Sequence, residues 1–155
     1  MIKSTKIVIV FFIAILANPS VQSHANTLTG KPTAATAKTS TATFDWSAVM
    51  EAIIYVESRG NARAVSGNSC GVMQITPILV KECNNILRQR KSKKRYTLAD
   101  RFSVEKSKEM FLLIQSEHNP QNNVERAIRT WNGGNHYSVR RTQRYYERVM
   151  ARLRN

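Results

Sequence analysis

The chain has 155 residues, with 24 lysines and arginines against 10 acids for a net charge of +14, two cysteines and three histidines. That length suits one small core, and histidines without ligand spacing to each other or to a cysteine argue against a metal site. So large an excess of cations directs attention to anionic partners: cell-wall polymer, phospholipid or lipopolysaccharide, or extracellular nucleic acid.

In chain order, Lys3 and Lys6 precede the apolar run from Ile7 to Ala17. Pro19 and the small-residue site Ser23-His24-Ala25 follow. This is the pattern of a secretory signal peptide over residues 1–25, since the run is too short to span a bilayer and no second one follows. Residues 26–43 are rich in Thr, Ala, Ser and Lys and hold one large apolar side chain, Leu28. They cannot bury enough surface to offset their ordering entropy, so a flexible linker is expected there, with one folded domain over 44–155. All ten acids lie at or after Asp45.

Trp46, Val49, Met50, Ile53 and Ile54 recur at helical spacing and form one apolar face. Extending that face by three residues from Ile54 reaches Glu57, just before the stop signal Gly60. A carboxyl group on the core stripe, at the negative end of a helix, meets two influences that raise its pKa, and a protonated carboxyl can serve as a general acid. An ordinary last-turn glutamate turned to solvent would fit the same spacing.

Cys70 and Cys83 lie 13 positions apart. In an oxidising compartment such a pair is expected to form a disulfide, worth about 3 kcal/mol in the chain-entropy picture. Thr76-Pro77 reads as a helix cap and first turn, and Ile78, Leu79, Glu82, Cys83, Ile86 and Leu87 continue at helical spacing. The helix then dissolves into the basic cluster Arg88 to Arg95, which has no aromatic residue before Tyr96. Without stacking partners the cluster is an electrostatic patch or a solvated loop, and specific nucleic-acid binding is not expected.

Ser103 caps a third helix to about Glu117 that carries Val104, Phe111 and Ile114 and ends at His118-Asn119-Pro120. Val124, Ala127, Ile128 and Trp131 mark a fourth helix, stopped by Asn132-Gly133-Gly134. A fifth starts at Ser138 and carries Tyr145, Tyr146, Val149, Met150 and Leu153. Period-two strand patterns are absent, so the fold class is mainly α with recognition on its loops.

Glycoside cleavage ordinarily uses two carboxylates. Between Glu57 and Glu82 there is neither Asp nor Glu, which fits a one-carboxylate scheme in which substrate groups supply the second function. Serine and cysteine hydrolase patterns are missing.

Four ordered blocks carry a family resemblance: Glu57-Ser58-Arg59-Gly60-Asn61 with Ser66; Gly71-Val72-Met73-Gln74-Ile75-Thr76-Pro77; Trp131-Asn132-Gly133-Gly134; and Thr142 with Tyr145 and Val149. From about Trp46 to Val149 the chain resembles the soluble lytic transglycosylase catalytic domain, of the lysozyme-like superfamily that includes goose-type lysozymes. The resemblance implies a lysozyme-like single domain that cleaves the β-1,4 bond between N-acetylmuramic acid and N-acetylglucosamine of peptidoglycan. Glu57 would act as acid and then as base, and a 1,6-anhydro end would form without a cofactor. It implies that Tyr145 approaches the catalytic carboxyl and that Ser66, Gln74, Asn132 and Trp131 contact the sugars, with Gly71 and Met73 at the floor of the cleft.

Departures from the family pattern are Trp131 for a tyrosine, Gly133 for an alanine, Thr76 for an apolar residue, and one residue fewer between Ser66 and Gln74. A periplasmic or extracellular monomer acting on glycan strands is expected, in the service of an envelope-spanning conjugation or secretion apparatus. The alternatives are a goose-type muramidase and a non-catalytic glycan-binding module using Arg88 to Arg95.

Overall fold

The computed structural model describes residues 44–155. The expected signal peptide and linker lie outside the described residues. Helix α1 spans Ser47–Ser58 without a side-chain cap at Trp46, and just ahead of it the Asp45 carboxylate accepts from the Ser47 N–H at 2.9 Å. Val49, Met50, Ala52, Ile53 and Ile54 are its buried residues. The helix stops one residue before the expected glycine: Arg59 takes the left-handed conformation at φ 54° and donates its N–H to the Tyr55 carbonyl, and Gly60 follows at φ 83°.

Two short strands follow, β1 (Val65–Ser66) and β2 (Ser69–Cys70), antiparallel with Val65 opposite Cys70 and Ser66 opposite Ser69. The absence of strands expected from periodicity is thereby corrected. Two-residue strands are too short to show a period, and their local signal is the Gly67-Asn68 turn between them, with Gly67 at φ 58°. A further bridge joins Cys70 to Ile75. Gly71 sits inside this knot at φ 77°, where a Cβ would fall 1.7 Å from the Arg101 carbonyl oxygen. Arg101 belongs to a 3₁₀ turn, Ala99–Phe102, and its guanidinium donates to the carbonyls of Asn68 at 3.0 Å and Ile75 at 3.4 Å, fastening the hairpin from outside.

Helix α2 (Pro77–Gln89) begins with Thr76 Oγ1 accepting from the Leu79 N–H, and α3 (Val104–His118) with Ser103 Oγ accepting from Lys106. Helix α4 spans Val124–Gly133, and α5 (Val139–Leu153) starts under Ser138. Between α2 and the 3₁₀ turn the basic cluster is a tethered loop. Asn84 clamps Tyr96 through both backbone groups at 2.8 Å, Arg90 pairs with Glu117 at 2.6 Å, and Lys94 pairs with Glu109 at 2.8 Å.

The core gathers the apolar faces of α1, α2, α3 and α4 around Phe111, whose ring meets Trp46 edge-on at 5.7 Å and Trp131 at 5.2 Å. Helix α5 packs on both α4 and α1. Its junction with α4 is held by Arg129, only 3 % exposed, which reaches Glu125 at 2.7 Å, the Val139 carbonyl, Thr142 Oγ1 and Gln143, and lies 4.3 Å from the Tyr146 ring centre.

The disulfide expected between Cys70 and Cys83 is not formed: both are buried free thiols. Cys83 belongs to the buried face of α2 and directs its Sγ toward the Met110 carbonyl on α3 at 3.9 Å, while Cys70 is held in the backbone ladder of the hairpin. Burial, reinforced by the charge of Glu82, pushes the Cys83 thiol up to about 12. It is an inert core side chain.

Candidate active site

Glu57 is the penultimate residue of α1, where the apolar stripe runs out against α5. Tyr145 comes from α5 and donates its hydroxyl to Glu57 Oε1 at 2.8 Å. Burial raises the Glu57 carboxyl above the ordinary glutamate value of 4.5, against the lowering influence of the Tyr145 hydrogen bond and the Arg148 charge. The phenol is displaced in the same direction, well above its usual range, by burial and by the neighbouring carboxylate. It remains a donor at every physiological pH. Arg148 itself donates to the Val56 carbonyl at 3.0 Å, one residue from Glu57.

The end of α1 is tied to the loop that faces it. Ser58 Oγ donates to the Val72 carbonyl at 2.8 Å, and the Trp131 indole N–H donates to the Met73 carbonyl at 3.2 Å. Trp131 therefore uses its polar tip as an anchor and keeps the ring at the cavity wall. Gln74, at φ 50°, turns its amide N–H₂ back onto the carbonyls of Gly71 at 2.9 Å and Ala64 at 3.4 Å.

Glu57, Ser69, Gln74, Thr76, Leu79, Trp131 and Asn132 line a cavity of about 170 Å³. A larger one, about 480 Å³, shares Thr76, Leu79, Trp131 and Asn132 and extends past Ile78, Glu82, Ile114, His118 and His136. The shared residues make the two a continuous groove with Glu57 at its narrow end. Among the described residues, Glu57 is the one carboxylate lining the narrow cavity. Glu82, in the wider part, accepts from or donates to His118 Nε2 across 3.1 Å.

Of the residues expected at the site, Gln74, Asn132 and Trp131 stand with Glu57 in the cavity wall, and Tyr145 stands behind it. Ser66 is exposed on β1 and does not line the cavity; its cross-strand partner Ser69 does. Met73 is fully buried, at 0 % exposure, and contributes its backbone carbonyl and packing, with no side-chain surface for a ligand. Ser58 and Arg148 were not singled out by the sequence reasoning. Ser58 stands in a recognised block, while Arg148 carries no local signal, because its partner lies 92 positions away.

Residues 34–152 match the family model described as the transglycosylase SLT domain. The chain belongs to that family. The match opens inside the stretch expected to be a linker and closes within α5. Neither the curated proteins nor the solved structures compared with the chain give a match. SLT domains are lysozyme-like, in keeping with the mainly α architecture, and family members are lytic transglycosylases acting on peptidoglycan in the cell envelope. No helix among the described residues is long and apolar enough to cross a membrane.

Proposed function

We propose that this SLT domain cleaves the β-1,4 bond between N-acetylmuramic acid and N-acetylglucosamine by intramolecular transglycosylation, with Glu57 as its only acid and base. The observation that carries the reading is a raised, Tyr145-bonded carboxyl that stands alone in its cavity. A protonated Glu57 delivers its proton to the glycosidic oxygen as the C–O bond breaks. The resulting carboxylate takes the proton of the muramoyl 6-hydroxyl as that oxygen closes on the anomeric carbon, which restores the acid. The substrate acetamido group supports the developing positive charge, the service a second carboxylate gives elsewhere. Tyr145 stays hydrogen-bonded to Glu57 through both steps, offsetting the cost of the buried anion. Gln74, Asn132, Trp131 and Ser69 contact the sugars.

Export by residues 1–25, a tether over 26–43 and a monomer that opens the wall locally for an envelope-spanning conjugation or secretion apparatus complete the proposal. Its support is the leader pattern and the small size of the domain. Glu82 favours one competing reading, a muramidase in which a second carboxylate further along the groove directs water. Mass spectrometry of digested peptidoglycan separates the two. Muropeptides ending in 1,6-anhydro sugars, one water lighter than reducing ends, are expected; reducing ends would assign hydrolysis.

A further inference from the structure

Helix α5 turns a row of arginines outward. Arg141, Arg144, Arg148 and Arg152 follow at three- and four-residue steps, which places them on one side of the helix over about 16 Å of its length. All four are exposed, and none forms an ion pair among the described residues. The acid that lies along the same helix, Glu147, points off the row and accepts from Gln143. Glu51, in the hollow beside Arg152, is engaged by Lys108. Arg152 is stacked 4.2 Å from the centre of the Tyr55 ring, which holds its guanidinium in place without neutralising it.

The basic loop is different in kind. Arg90 and Lys94 there are spent on Glu117 and Glu109, and Arg95 on backbone carbonyls of its own loop. Lys91 and Lys93 of the loop are also exposed without an ion pair among the described residues, but the α5 row is the one that reaches the catalytic carboxyl: Arg144 is next to Tyr145 in sequence, and Arg148 donates to the backbone beside Glu57.

We infer that the α5 arginine row holds the carboxylates of the peptide stems carried by the glycan strand whose bond Glu57 attacks. The inference rests on the lytic reading of Glu57. Four guanidiniums along one line complement a polymer with anionic groups spaced along its length. The contact of Arg148 with the backbone beside Glu57 favours the substrate as that polymer over a lipid surface, which would need no such adjacency.

The test is made in the full chain carrying Glu57→Gln, so that binding is read without cleavage. Co-sedimentation with sacculi is measured for this parent, for Arg141→Gln/Arg144→Gln, for Arg141→Lys/Arg144→Lys, and for the charge-matched loop control Lys91→Gln/Lys93→Gln. The glutamine pair on α5 is expected to weaken binding about tenfold, the loop pair less than about threefold, and the lysine pair to stay near the parent. Amidase-stripped strands should be held by the parent about as weakly as intact sacculi by the α5 glutamine pair, and added salt should erase the difference. Equal binding by parent and α5 glutamine pair, or equal retention of stripped and stem-bearing strands, overturns the inference. So does tighter binding of the parent to vesicles of anionic phospholipid than to sacculi. Cleavage by the Glu57→Gln parent would instead count against the lytic reading, while the binding comparison would still be read.

Discussion

Two glutamates of this domain are shifted in opposite directions. Glu57, at the end of α1, is raised because burial removes water and leaves it one neutral donor, the Tyr145 hydroxyl, with the Arg148 charge opposing. Glu109, on the outer side of α3, is lowered because the Lys94 ammonium, and then Lys106, bond to its carboxylate. The same side chain is held toward its protonated form in one place and as a fixed anion in the other. The difference lies in what each helix face was given to pack against: α5 with its tyrosine for Glu57, a lysine-bearing loop for Glu109.

The largest way to break the contrast is Glu57→Gln. General acid and base chemistry are removed with shape nearly kept, and release of soluble muropeptides should fall by about 10³-fold or more. The same variant tests the pH side. With its folded pKa above the unfolded one, Glu57 contributes stability that is fully present below about pH 4.5 and is lost as pH rises through the folded value. Thermal melts should therefore show Glu57→Gln gaining on the wild type as pH rises from 4 to 8; a gap independent of pH would mean that the carboxyl is not shifted.

Gly71→Ala attacks the loop that faces Glu57. A methyl group there would overlap the Arg101 carbonyl, at a φ that alanine disfavours, and a loss of about 3 kcal/mol is expected in urea unfolding. Wild-type stability would show that the hairpin and the 3₁₀ turn are not pressed together as described.

How much of this was legible beforehand depended on range. The helix caps at Thr76 and Ser103, the start of the last helix at Ser138, and the stripe ending on Glu57 are local signals and stand where spacing put them. The site's second half depends on contacts between distant segments. Ser66 and Ser69 look equivalent in sequence until the Gly67-Asn68 turn puts one of them at the cavity wall. A cysteine pair behind a leader-like segment suggests a bridge, but Cys83 lies on the stripe of α2 and is drawn into the core by its helical phase. The tryptophan in place of a tyrosine became intelligible through its bond to the Met73 carbonyl, 58 positions away.

Tyr145→Phe should cost roughly tenfold in kcat, with little change in KM, by removing one hydrogen bond to the proposed acid Glu57. Because that bond lowers the Glu57 pKa, the carboxyl limb of the pH–rate profile should move upward in the variant. An unmoved limb would detach Tyr145 from the titration.

Smallest is Glu109→Gln, which leaves Lys94 and Lys106 without their acceptor at a partly exposed site. Its cost at pH 7 should stay under about 1 kcal/mol and shrink in high salt. Since the Glu109 pKa is lowered, that contribution is present above the ordinary glutamate value and fades as pH falls through the folded one, the reverse of Glu57.

The most direct measurement is the titration of the Glu57 carboxyl itself, followed by ¹³C NMR with Glu57→Gln to assign its resonance. A midpoint above the ordinary 4.5, moving higher still in Tyr145→Phe, is the result expected of a buried carboxyl held by one phenol. A midpoint at or below 4.5 would make Glu57 a common surface glutamate, with no means of serving as the acid.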